Sequence, residues 1–267
     1  MQLNKKLAPV KMDTKNSSNI LTGGRRTVSN IKNTNPLVSV ITVCYNAEKD
    51  IRNCLNSILE QPFRNIEHIV IDGNSSDKTI AILSEFKDKI EFWISEKDTG
   101  IYNAMNKAIN YAHGEWIIFL GADDTLLNGF AEMTTFLKEK NTVYYGDYIS
   151  DTKRYGGKFN SYRLAKANFC QQNVLYPSIV FSKYRFDEKY RISADHLLNM
   201  QCWADNDIKF QYYPVIITDF SSKGISSLQI DVALEADRDS MIKKYLGYFV
   251  FLRYQLKLFK NKLKGHS

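Results

Sequence analysis

Residues 116–127 read WIIFLGADDTLL, an apolar run that ends in two adjacent acidic residues, Asp123 and Asp124. The apolar run predicts a buried strand, and carboxylates at its end place hard oxygen ligands at the edge of a sheet. At such an edge a divalent cation and a phosphate-bearing ligand can meet. A simpler alternative is that Asp124 caps a helix beginning near Leu127, since Asp favours turns and caps. The rest of the sequence has to decide between these two interpretations.

The composition indicates one large domain with tails. The chain has 267 residues, of which 44% are hydrophobic, enough for an α/β domain with a substantial core. Its four cysteines lie far apart without a metal-binding spacing, which is typical of a reducing, cytoplasmic setting. No stretch approaches the roughly 20 apolar residues that cross a bilayer, and the N-terminus lacks the profile of a secretory signal. We expect a cytoplasmic protein, either soluble or bound peripherally to the inner face of the cytoplasmic membrane.

Short β-branched or aromatic runs alternate with helical patterns after Pro36. The predicted strands are 38–43, 66–71, 90–94 and 116–120, and the predicted helices are 48–60, 77–87 and 101–112. This alternation predicts an α/β fold with a mainly parallel sheet and helices on both faces. We divide the chain into a flexible N-terminal extension (1–35), the α/β domain (36–230) and a basic, amphipathic helical tail (231–267).

Polar residues follow each predicted strand, at the sheet edge where α/β proteins bind ligands. They are Tyr45-Asn46, the loop from Asp72 to Asp77, the loop from Ser95 to Asp98, and Asp123-Asp124. The first strand is followed by CYNAEKD instead of GxGxxG, and the chain contains no GxxxxGK[ST]. A nicotinamide dinucleotide site and a Walker-type phosphate loop are therefore not expected.

Two long segments carry a family resemblance. They are VSVITVCYNAEKDIRNCLNSILEQPFRNIEHIVIDGNSSDKT (38–79) and ISEKDTGIYNAMNKAINYAHGEWIIFLGADDTLL (94–127). Both resemble the N-terminal half of family 2 glycosyltransferases, which have the Rossmann-like GT-A fold of nucleotide-diphospho-sugar transferases. Within the family the chain is most similar to bacterial enzymes that build surface polysaccharides. The resemblance covers residues 37 to 225 and is looser after residue 130.

The resemblance implies a donor site. It gives Asp124 the role of binding Mn²⁺ or Mg²⁺, while Asp123 faces the ribose or the waters of the metal. Val43 and Tyr45 would flank the base of a nucleotide-diphosphate sugar, with a UDP-sugar expected. Further residues assigned to this site are Asp72, Asn74, Asn103, Asn106 and Lys107. Gly73 stands where some relatives have a second Asp that contacts uracil. The alternative for Asn103, Asn106 and Lys107 is a solvated helix face.

The resemblance also implies an acceptor site. An inverting transfer needs a base that takes the proton of the acceptor hydroxyl, and Asp195 resembles the family's acidic residue at the start of a helix. The alternative for Asp195 is an ordinary first-turn Asp favoured by the helix dipole. Gln172, His196 and Asp147 are assigned to the acceptor side, where Gln171 replaces the histidine usual in close relatives. For His196 a structural or solvent-facing role is the alternative. For Asp147 the alternative is a structural one, since Tyr144–Asp147 predicts a strand followed by a turn.

The tail contains the excess positive charge of the chain. The net charge is +7, and residues 241–267 contain seven Lys or Arg and no acidic residue. Ile242, Phe249, Leu256 and Leu263 recur every seven residues, as do Tyr245, Leu252 and Phe259, which predicts one apolar helical stripe flanked by basic residues. The stripe could pack on the domain, bind an anionic inner membrane through residues 241–264, or form a homodimer.

The sequence thus predicts an inverting, metal-dependent glycosyltransferase with a saccharide acceptor, lipid-linked in our expectation, in the assembly of surface polysaccharide. A sugar nucleotidyltransferase is one alternative, although CYNAEKD is not the Gly-rich basic loop such an enzyme would need. A basic nucleic-acid-binding protein is another alternative, suggested by the pI of about 9.0. The concentration of the charge in one amphipathic helix argues against nucleic acid as a partner.

Overall fold

The computed structural model describes residues 20–28, 35–222 and 229–264. The strands are β1 Leu21–Gly23, β2 Val38–Cys44, β3 Ile66–Asp72, β4 Phe92–Ser95, β5 Trp116–Gly121, β6 Thr125–Leu126, β7 Thr142–Ser150, β8 Lys153–Tyr155, β9 Val174–Pro177 and β10 Lys209–Asp219. The α-helices are α1 Arg25–Val28, α2 Ile51–Leu59, α3 Thr79–Glu85, α4 Ile101–Ile109, α5 Gly129–Thr134, α6 Ser161–Lys166, α7 Val180–Lys183, α8 Ala194–Ala204, α9 Val232–Met241 and α10 Tyr248–Lys264. A 3₁₀ turn, Gln171–Asn173, precedes β9.

These strands form one mixed sheet in the order β1-β4-β3-β2-β5-β9-β7-β10-β6, with β8 paired to β7. The four strands predicted from the sequence, β2 to β5, are parallel neighbours. The second half adds antiparallel pairs through β9, β6 and β8, and one further parallel pair, β7 with β10. The predicted α/β class is confirmed, while the sheet is less parallel than the first half of the sequence suggests.

Helices cover both faces of the sheet because alternate strand residues point to opposite sides. On one face Ile41 and Val43 pack with residues of α4, α6 and α8. On the other face Val38 and Val40 pack with Cys54 and Ile58 of α2 and with residues of α5. A smaller cluster on this second face joins α2 to α3 around Leu55 and Leu83. The four parallel strands are buried on both sides, as their nearly continuous apolar sequences predict.

The parallel strands end in register at one edge of the sheet. Cys44 of β2 is paired with Asp72 of β3, and Asp72 is paired with Ser95 of β4. On the other side, Val43 is paired with Gly121, the last residue of β5. The polar loops that follow these strands therefore emerge side by side, which creates the site described below.

Two predicted local structures are wrong. The Tyr144–Asp147 segment was expected to be strand followed by a turn, but β7 runs on to Ser150 because β8 and β10 both pair with this part of it. The turn lies at Asp151 and Thr152, whose φ angles are 48° and 65°. The helix expected near Leu127 begins at Gly129, after the short strand β6.

The N-terminal extension, which the sequence predicts to be flexible or loosely docked, is docked on the sheet at residues 20–28; residues 1–19 and 29–34 lie outside the described residues. Strand β1 pairs antiparallel with β4. Arg26 then forms ion pairs with Glu67 and Glu91, whose side chains are almost completely buried. Burial raises the pKa of Glu67, but the hydrogen bond from His113 and the charge of Arg26 outweigh it, so that the pKa is lowered. This pairing ties the extension to the sheet.

The tail is not one continuous helix, so the prediction that its apolar stripe forms a single surface is wrong. A π-helical segment, Ile242–Leu246, follows α9, and Gly247 with a φ of 92° separates it from α10. Ile242 is buried in the core, whereas Phe249 of the same predicted stripe is 87% exposed. Helix α10 instead contacts the domain through Tyr254 and through Arg253, whose guanidinium lies 4.0 Å from the ring centroid of Tyr162. No helix of the described residues is long and apolar enough to cross a membrane.

The buried ion pair of Arg26 predicts a large effect on stability. Arg26→Ala should lower the free energy of unfolding by about 3 kcal/mol, because it leaves the buried Glu67 carboxylate without its cation. Arg52→Ala is the matched control, since its partner Glu85 is exposed and such a pair contributes at most about 1 kcal/mol. Guanidinium denaturation measures the free energy of unfolding of both variants. Equal losses in the two would contradict a special contribution of the buried Arg26 ion pair.

Candidate active site

Asp72 holds the ends of three strands together. Its side chain is completely buried, and its carboxylate accepts hydrogen bonds from the Ser75 amide (2.9 Å) and from the hydroxyls of Ser75 (2.5 Å) and Ser95 (2.6 Å). The thiol of Cys44 is 3.6 Å from the same carboxylate. These bonds shape the loop after β3. In this geometry Asp72 positions the loop, and its predicted contact with the nucleotide stays a prediction.

The loops after β2 and β3 are joined by hydrogen bonds. The Asn46 amide donates to the Ser75 hydroxyl (2.7 Å), and the side-chain oxygen of Asn46 accepts from the Ser76 amide (2.9 Å). Asn46 and Asn74 both adopt positive φ angles, 49° and 65°, which Asn tolerates better than most residues. The rigid pair of loops leaves the Tyr45 ring 66% exposed at the sheet edge. Asn74 is exposed beside it, whereas Val43 is buried in the core.

Gly73 lies against a carboxylate that the sequence analysis did not single out. A Cβ atom on Gly73 would be 2.7 Å from an oxygen of Asp98 and 3.4 Å from the ring of Tyr45. Any side chain at position 73 would therefore displace Asp98. Burial raises the pKa of Asp98, and the Gly100 amide and the charge of Lys107 offset part of this rise. Asp98, Tyr45 and Gly73 thus form one wall of the edge site.

The three polar residues predicted on α4 are engaged with neighbouring segments. The side chain of Asn103 donates to Glu188 (3.1 Å), and that of Asn106 donates to the carbonyl of Phe186 (2.9 Å). Lys107 forms an ion pair with Glu96 (2.8 Å) and donates to the carbonyl of Lys97 (3.0 Å). Lys107 therefore stabilises the loop after β4, and the two asparagines fix the segment that leads to α8.

Asp123 and Asp124 converge on the end of β5. A Cβ atom on Gly121 would lie 2.5 Å from an oxygen of Asp124 and 2.9 Å from an oxygen of Asp123, so only glycine lets both carboxylates approach this point. Asp124 is buried and accepts from the amides of Gly121 (3.1 Å) and Ser221 (2.8 Å), whereas Asp123 is exposed. The alternative that Asp124 caps the next helix is wrong, because that helix has Asn128 at its N-cap.

Asp124 is a buried acid that forms no ion pair with a Lys, Arg or His side chain within residues 20–28, 35–222 and 229–264. Burial raises its pKa to about 7; the Ser221 amide lowers the pKa, and the neighbouring charge of Asp123 raises it. No group of three or more His, Cys, Asp or Glu side chains that could hold a metal ion occurs in the described parts of the chain. The pair Asp123 and Asp124 therefore suits an oxygen-preferring ion that keeps several waters or substrate oxygens, as Mg²⁺ does.

Asp195, at the start of α8, accepts hydrogen bonds on both carboxylate oxygens. Tyr102 donates to one oxygen (2.7 Å) and the Asn168 amide to the other (2.6 Å). Asn199 donates to Asn168 (2.9 Å) and accepts from Tyr176 (2.9 Å), which extends the network into the core. Burial raises the pKa of Asp195 to about 6, and the bonds from Tyr102 and Asn168 limit the rise. The group is ionised at neutral pH but more basic than an ordinary Asp.

The 3₁₀ turn at Gln171–Asn173 lies between the two acidic positions. The side chain of Gln172 hydrogen-bonds to Asp124, and the Cys170 thiol donates to Gln172 (3.2 Å). Burial raises the pKa of Cys170, and the carboxylates of Asp124 and Asp195 both raise it further. The structure therefore brings Asp124 and Asp195 to the same site, although they are 71 positions apart in the sequence.

Two predicted acceptor residues are engaged in hydrogen bonds within the protein. His196 is buried, and its Nε2 donates to the carbonyl of Leu164 (2.7 Å), so the ring joins α8 to α6. Burial lowers its pKa to about 4. Asp147 is also buried and accepts from Arg154 (2.8 Å), the Gly157 amide (2.7 Å) and Tyr212 (2.9 Å). Both side chains have structural roles in this geometry, and their predicted contacts with the acceptor stay predictions.

Comparison with known proteins extends this picture. The model of the family described as "Glycosyl transferase family 2" matches residues 39–197. A Mycobacterium tuberculosis (strain ATCC 25177 / H37Ra) protein named PGL/p-HBAD biosynthesis glycosyltransferase is 32% identical over 208 residues, 73% of this chain and 81% of that protein. The Escherichia coli protein WfgD, named UDP-Glc:alpha-D-GlcNAc-diphosphoundecaprenol beta-1,3-glucosyltransferase, is 38% identical over 127 residues, 46% and 50% of the two chains. The crystal structure of S. aureus TarS 1-349 in complex with UDP-GlcNAc has a TM-score of 0.62 at 18% identity, covers 78% of this chain and 71% of that one, and shows the shared fold.

The hydrogen bond from Tyr102 predicts a measurable change in Asp195. Tyr102→Phe removes a donor that favours the ionised carboxylate, so the acid dissociation constant of Asp195 should fall about tenfold. NMR titration of the Asp195 carboxyl carbon measures this dissociation constant in the wild type and in the variant. Tyr176→Phe is the control, because Tyr176 reaches Asp195 only through Asn199 and Asn168. The same fall in both variants, or none in Tyr102→Phe, would show that this bond does not tune Asp195.

Proposed function

The chain belongs to glycosyl transferase family 2 and is a glycosyltransferase, and on this basis we propose that it transfers a sugar from a nucleotide-diphosphate sugar to a saccharide acceptor with inversion at the anomeric carbon. The observation that supports this proposal most strongly is the pairing of two different acidic positions at one site. Asp123 and Asp124 meet at the end of β5, and the buried Asp195 lies on the other side of the turn that contains Gln172.

Asp195 is the proposed base. It takes the proton of the acceptor hydroxyl as that oxygen attacks the anomeric carbon of the donor. The bond from this carbon to the diphosphate oxygen breaks on the opposite face, and its electron pair leaves with the nucleoside diphosphate. A pKa of about 6 keeps Asp195 ionised at neutral pH and makes it a stronger base than an exposed Asp. Tyr102 and Asn168 hold both carboxylate oxygens in place, so they are positioning residues.

Asp124 and Asp123 are the proposed ligands of Mn²⁺ or Mg²⁺. The two carboxylates fit such an ion because oxygens of both approach the backbone at Gly121, and because the buried Asp124 has no cationic side chain as an ion-pair partner among the described residues. The ion would stabilise the charge that grows on the diphosphate when the sugar leaves. Gln172 fixes the orientation of Asp124, which gives this residue a role at the donor side in addition to the predicted acceptor side.

The donor nucleoside is proposed to lie on the loops after β2, β3 and β4. Tyr45 offers an exposed ring for the base, and Asp98 and Asn74 offer polar groups beside it. Val43 lies in the core two residues before Tyr45, and Lys107 donates to the Lys97 carbonyl in the loop that contains Asp98. We propose a UDP-sugar as the donor, because WfgD is named for UDP-Glc and the TarS structure contains UDP-GlcNAc.

The acceptor is proposed to be a lipid-linked saccharide of surface glycan assembly. The M. tuberculosis relative is named for PGL/p-HBAD biosynthesis, and WfgD is named for a diphosphoundecaprenol-linked sugar. Either kind of acceptor would present its sugar close to a lipid surface. An enzyme with such an acceptor gains from binding that surface itself, which on the cytoplasmic side of the membrane is anionic.

Helix α10 is the proposed membrane contact. Its exposed apolar side chains include Phe249, Leu256, Phe259 and Leu263, and the 241–264 segment contains basic residues and no acid. An apolar face next to Lys and Arg is the pattern of helices that lie in the interface of anionic membranes. The buried Tyr254 and the contact of Arg253 with the Tyr162 ring hold the helix on the domain, while Phe249, Leu256, Phe259 and Leu263 remain exposed. Homodimerisation through the same face is the competing outcome.

A thermal-shift experiment tests the donor and metal sites. UDP with Mn²⁺ should raise the melting temperature by several degrees more than UDP alone. This additional rise should be larger at pH 8 than at pH 6, because Asp124, with a pKa of about 7, must lose its proton to bind a cation. Asp124→Asn should abolish the cation-dependent part, whereas Asp88→Asn on the surface should not change it. No stabilisation by UDP, GDP, dTDP or CDP, with Mn²⁺ or Mg²⁺, would refute the proposed function.

Vesicle sedimentation tests the membrane contact. The full chain should bind vesicles of phosphatidylcholine and phosphatidylglycerol, bind phosphatidylcholine alone weakly, and detach as salt is added. Lys257→Glu with Lys260→Glu should weaken binding by at least about tenfold, while the matched change of Lys138 and Lys140 to Glu should not. If the chain binds no vesicles and instead forms a dimer that Phe249→Ser disrupts, the face is a self-association surface.

A further inference from the structure

A cavity of about 550 Å³ lies beneath the hairpin of β7 and β8. Its walls include the rings of Tyr145, Tyr148, Tyr155, Phe159 and Phe169. Tyr148 and Tyr155 are stacked, with ring centroids 5.5 Å apart, and Tyr155 is 44% exposed at the rim. The volume lies in the range of small-molecule sites, which are mostly apolar with a few placed polar groups. The hairpin therefore covers a space large enough for a sugar ring.

The cavity wall contains hydrogen-bonding groups at Asn173 and Tyr148. The side-chain oxygen of Asn173 is buried and has no hydrogen-bond partner among the described residues, while its nitrogen donates to the Gly146 carbonyl (2.6 Å). Buried polar atoms without a partner are rare in folded proteins, which points to a missing one. The half-buried Tyr148 adds a hydroxyl to the same wall. Both groups suit ligand hydroxyls.

The charges in the wall do not suit a phosphate or a nucleotide. Arg154 forms an ion pair with Asp147, which neutralises both. The guanidinium of Arg163 donates to the carbonyls of Gly156 (2.6 Å) and Lys158 (3.0 Å) and covers the Phe159 ring at 4.1 Å. Both cations are thus already committed to the protein. A neutral, polyhydroxylated ligand with one apolar face fits the wall better.

The cavity adjoins the proposed base. Asn168 lines the cavity and also donates to Asp195 (2.6 Å), so a single side chain separates the two. Cys170, another lining residue, lies close enough to Asp124 and Asp195 for both carboxylates to raise its pKa. A ligand in the cavity would therefore have one end beside the base.

We propose that this cavity binds the pyranose ring of the acceptor, with its C–H face on the ring of Tyr155 and its hydroxyls at Tyr148 and Asn173. The inference rests on the proposed function for the identity of the ligand as acceptor. Aromatic faces carry partial negative charge and attract the C–H groups of a sugar. The hairpin, which the family resemblance covers only loosely, then selects the acceptor.

Saturation-transfer NMR on the full chain tests the site, with methyl pyranosides of glucose, galactose, mannose, rhamnose and N-acetylglucosamine as probes. At least one pyranoside should bind, and Tyr155→Ala should weaken it about tenfold, since it removes one stacked ring from a partly exposed position. Tyr148→Phe, which keeps the ring and removes only the hydroxyl, should weaken binding less. Lys153→Ala is the matched control, because Lys153 is on the same hairpin but does not line the cavity.

Binding of UDP with Mn²⁺, measured by thermal shift in the same variants, should not change. If no probe binds the wild-type chain, or if Tyr155→Ala binds as well as Lys153→Ala, the acceptor cavity is refuted while the donor site stands. If a pyranoside binds in the cavity and no nucleotide stabilises the protein, the cavity stands as a saccharide site and the proposed function fails.

Discussion

The site depends on buried carboxylates that are held at the edge of a sheet by hydrogen bonds from amides, hydroxyls and side-chain amides. Desolvation disfavours a buried negative charge, and the protein balances it differently at each position. At Asp72 the loop hydroxyls and an amide surround the carboxylate and give it a structural role. At Asp195 a tyrosine and an asparagine compensate in part, which leaves a basic but ionised group. At Asp124 the bonds from two amides and Gln172 offset less of the cost of burying the charge, and a bound cation would offset the remainder.

The sheet explains why these groups meet. Four parallel strands end in register, so short loops bring together residues that are far apart in the sequence. The 3₁₀ turn before β9 then places Gln172 against Asp124, and α8 presents Asp195 from the same side. The first half of the fold thus supplies the proposed donor side. The second half, with its antiparallel strands and aromatic cavity, supplies the proposed acceptor side.

The sequence predicted the parts of the fold in which local pattern and tertiary structure agree. Strands β2 to β5 were found because β-branched runs buried on both faces are easy to recognise. The short strand β1 was missed, since its three residues are stabilised only by pairing with β4 and by the distant partners of Arg26. The break at Gly247 was also missed: the heptad spacing continued through a glycine whose positive φ angle only the structure reveals.

The candidate site shows the same division between local motif and long-range contact. Asp124 was named because adjacent acids after a strand have a recognisable local context, and Asp195 because it resembles the family's acidic residue at the start of a helix. Tyr102 and Asn168 were not named, because their importance lies in contacts to Asp195 across 93 and 27 positions. His196 shows the converse, since its position beside Asp195 suggested function while its ring bonds to the Leu164 carbonyl.

The central claim is that the two acidic positions do separate jobs, donor binding at Asp124 and proton removal at Asp195. The most direct measurement compares donor affinity with transfer rate in Asp195→Asn, using isothermal titration with UDP and Mn²⁺ alongside sugar transfer under the same conditions. We predict an affinity within about twofold of the wild type and a transfer rate reduced by at least about a hundredfold. Transfer at the wild-type rate, or loss of donor binding in step with transfer, would contradict the account.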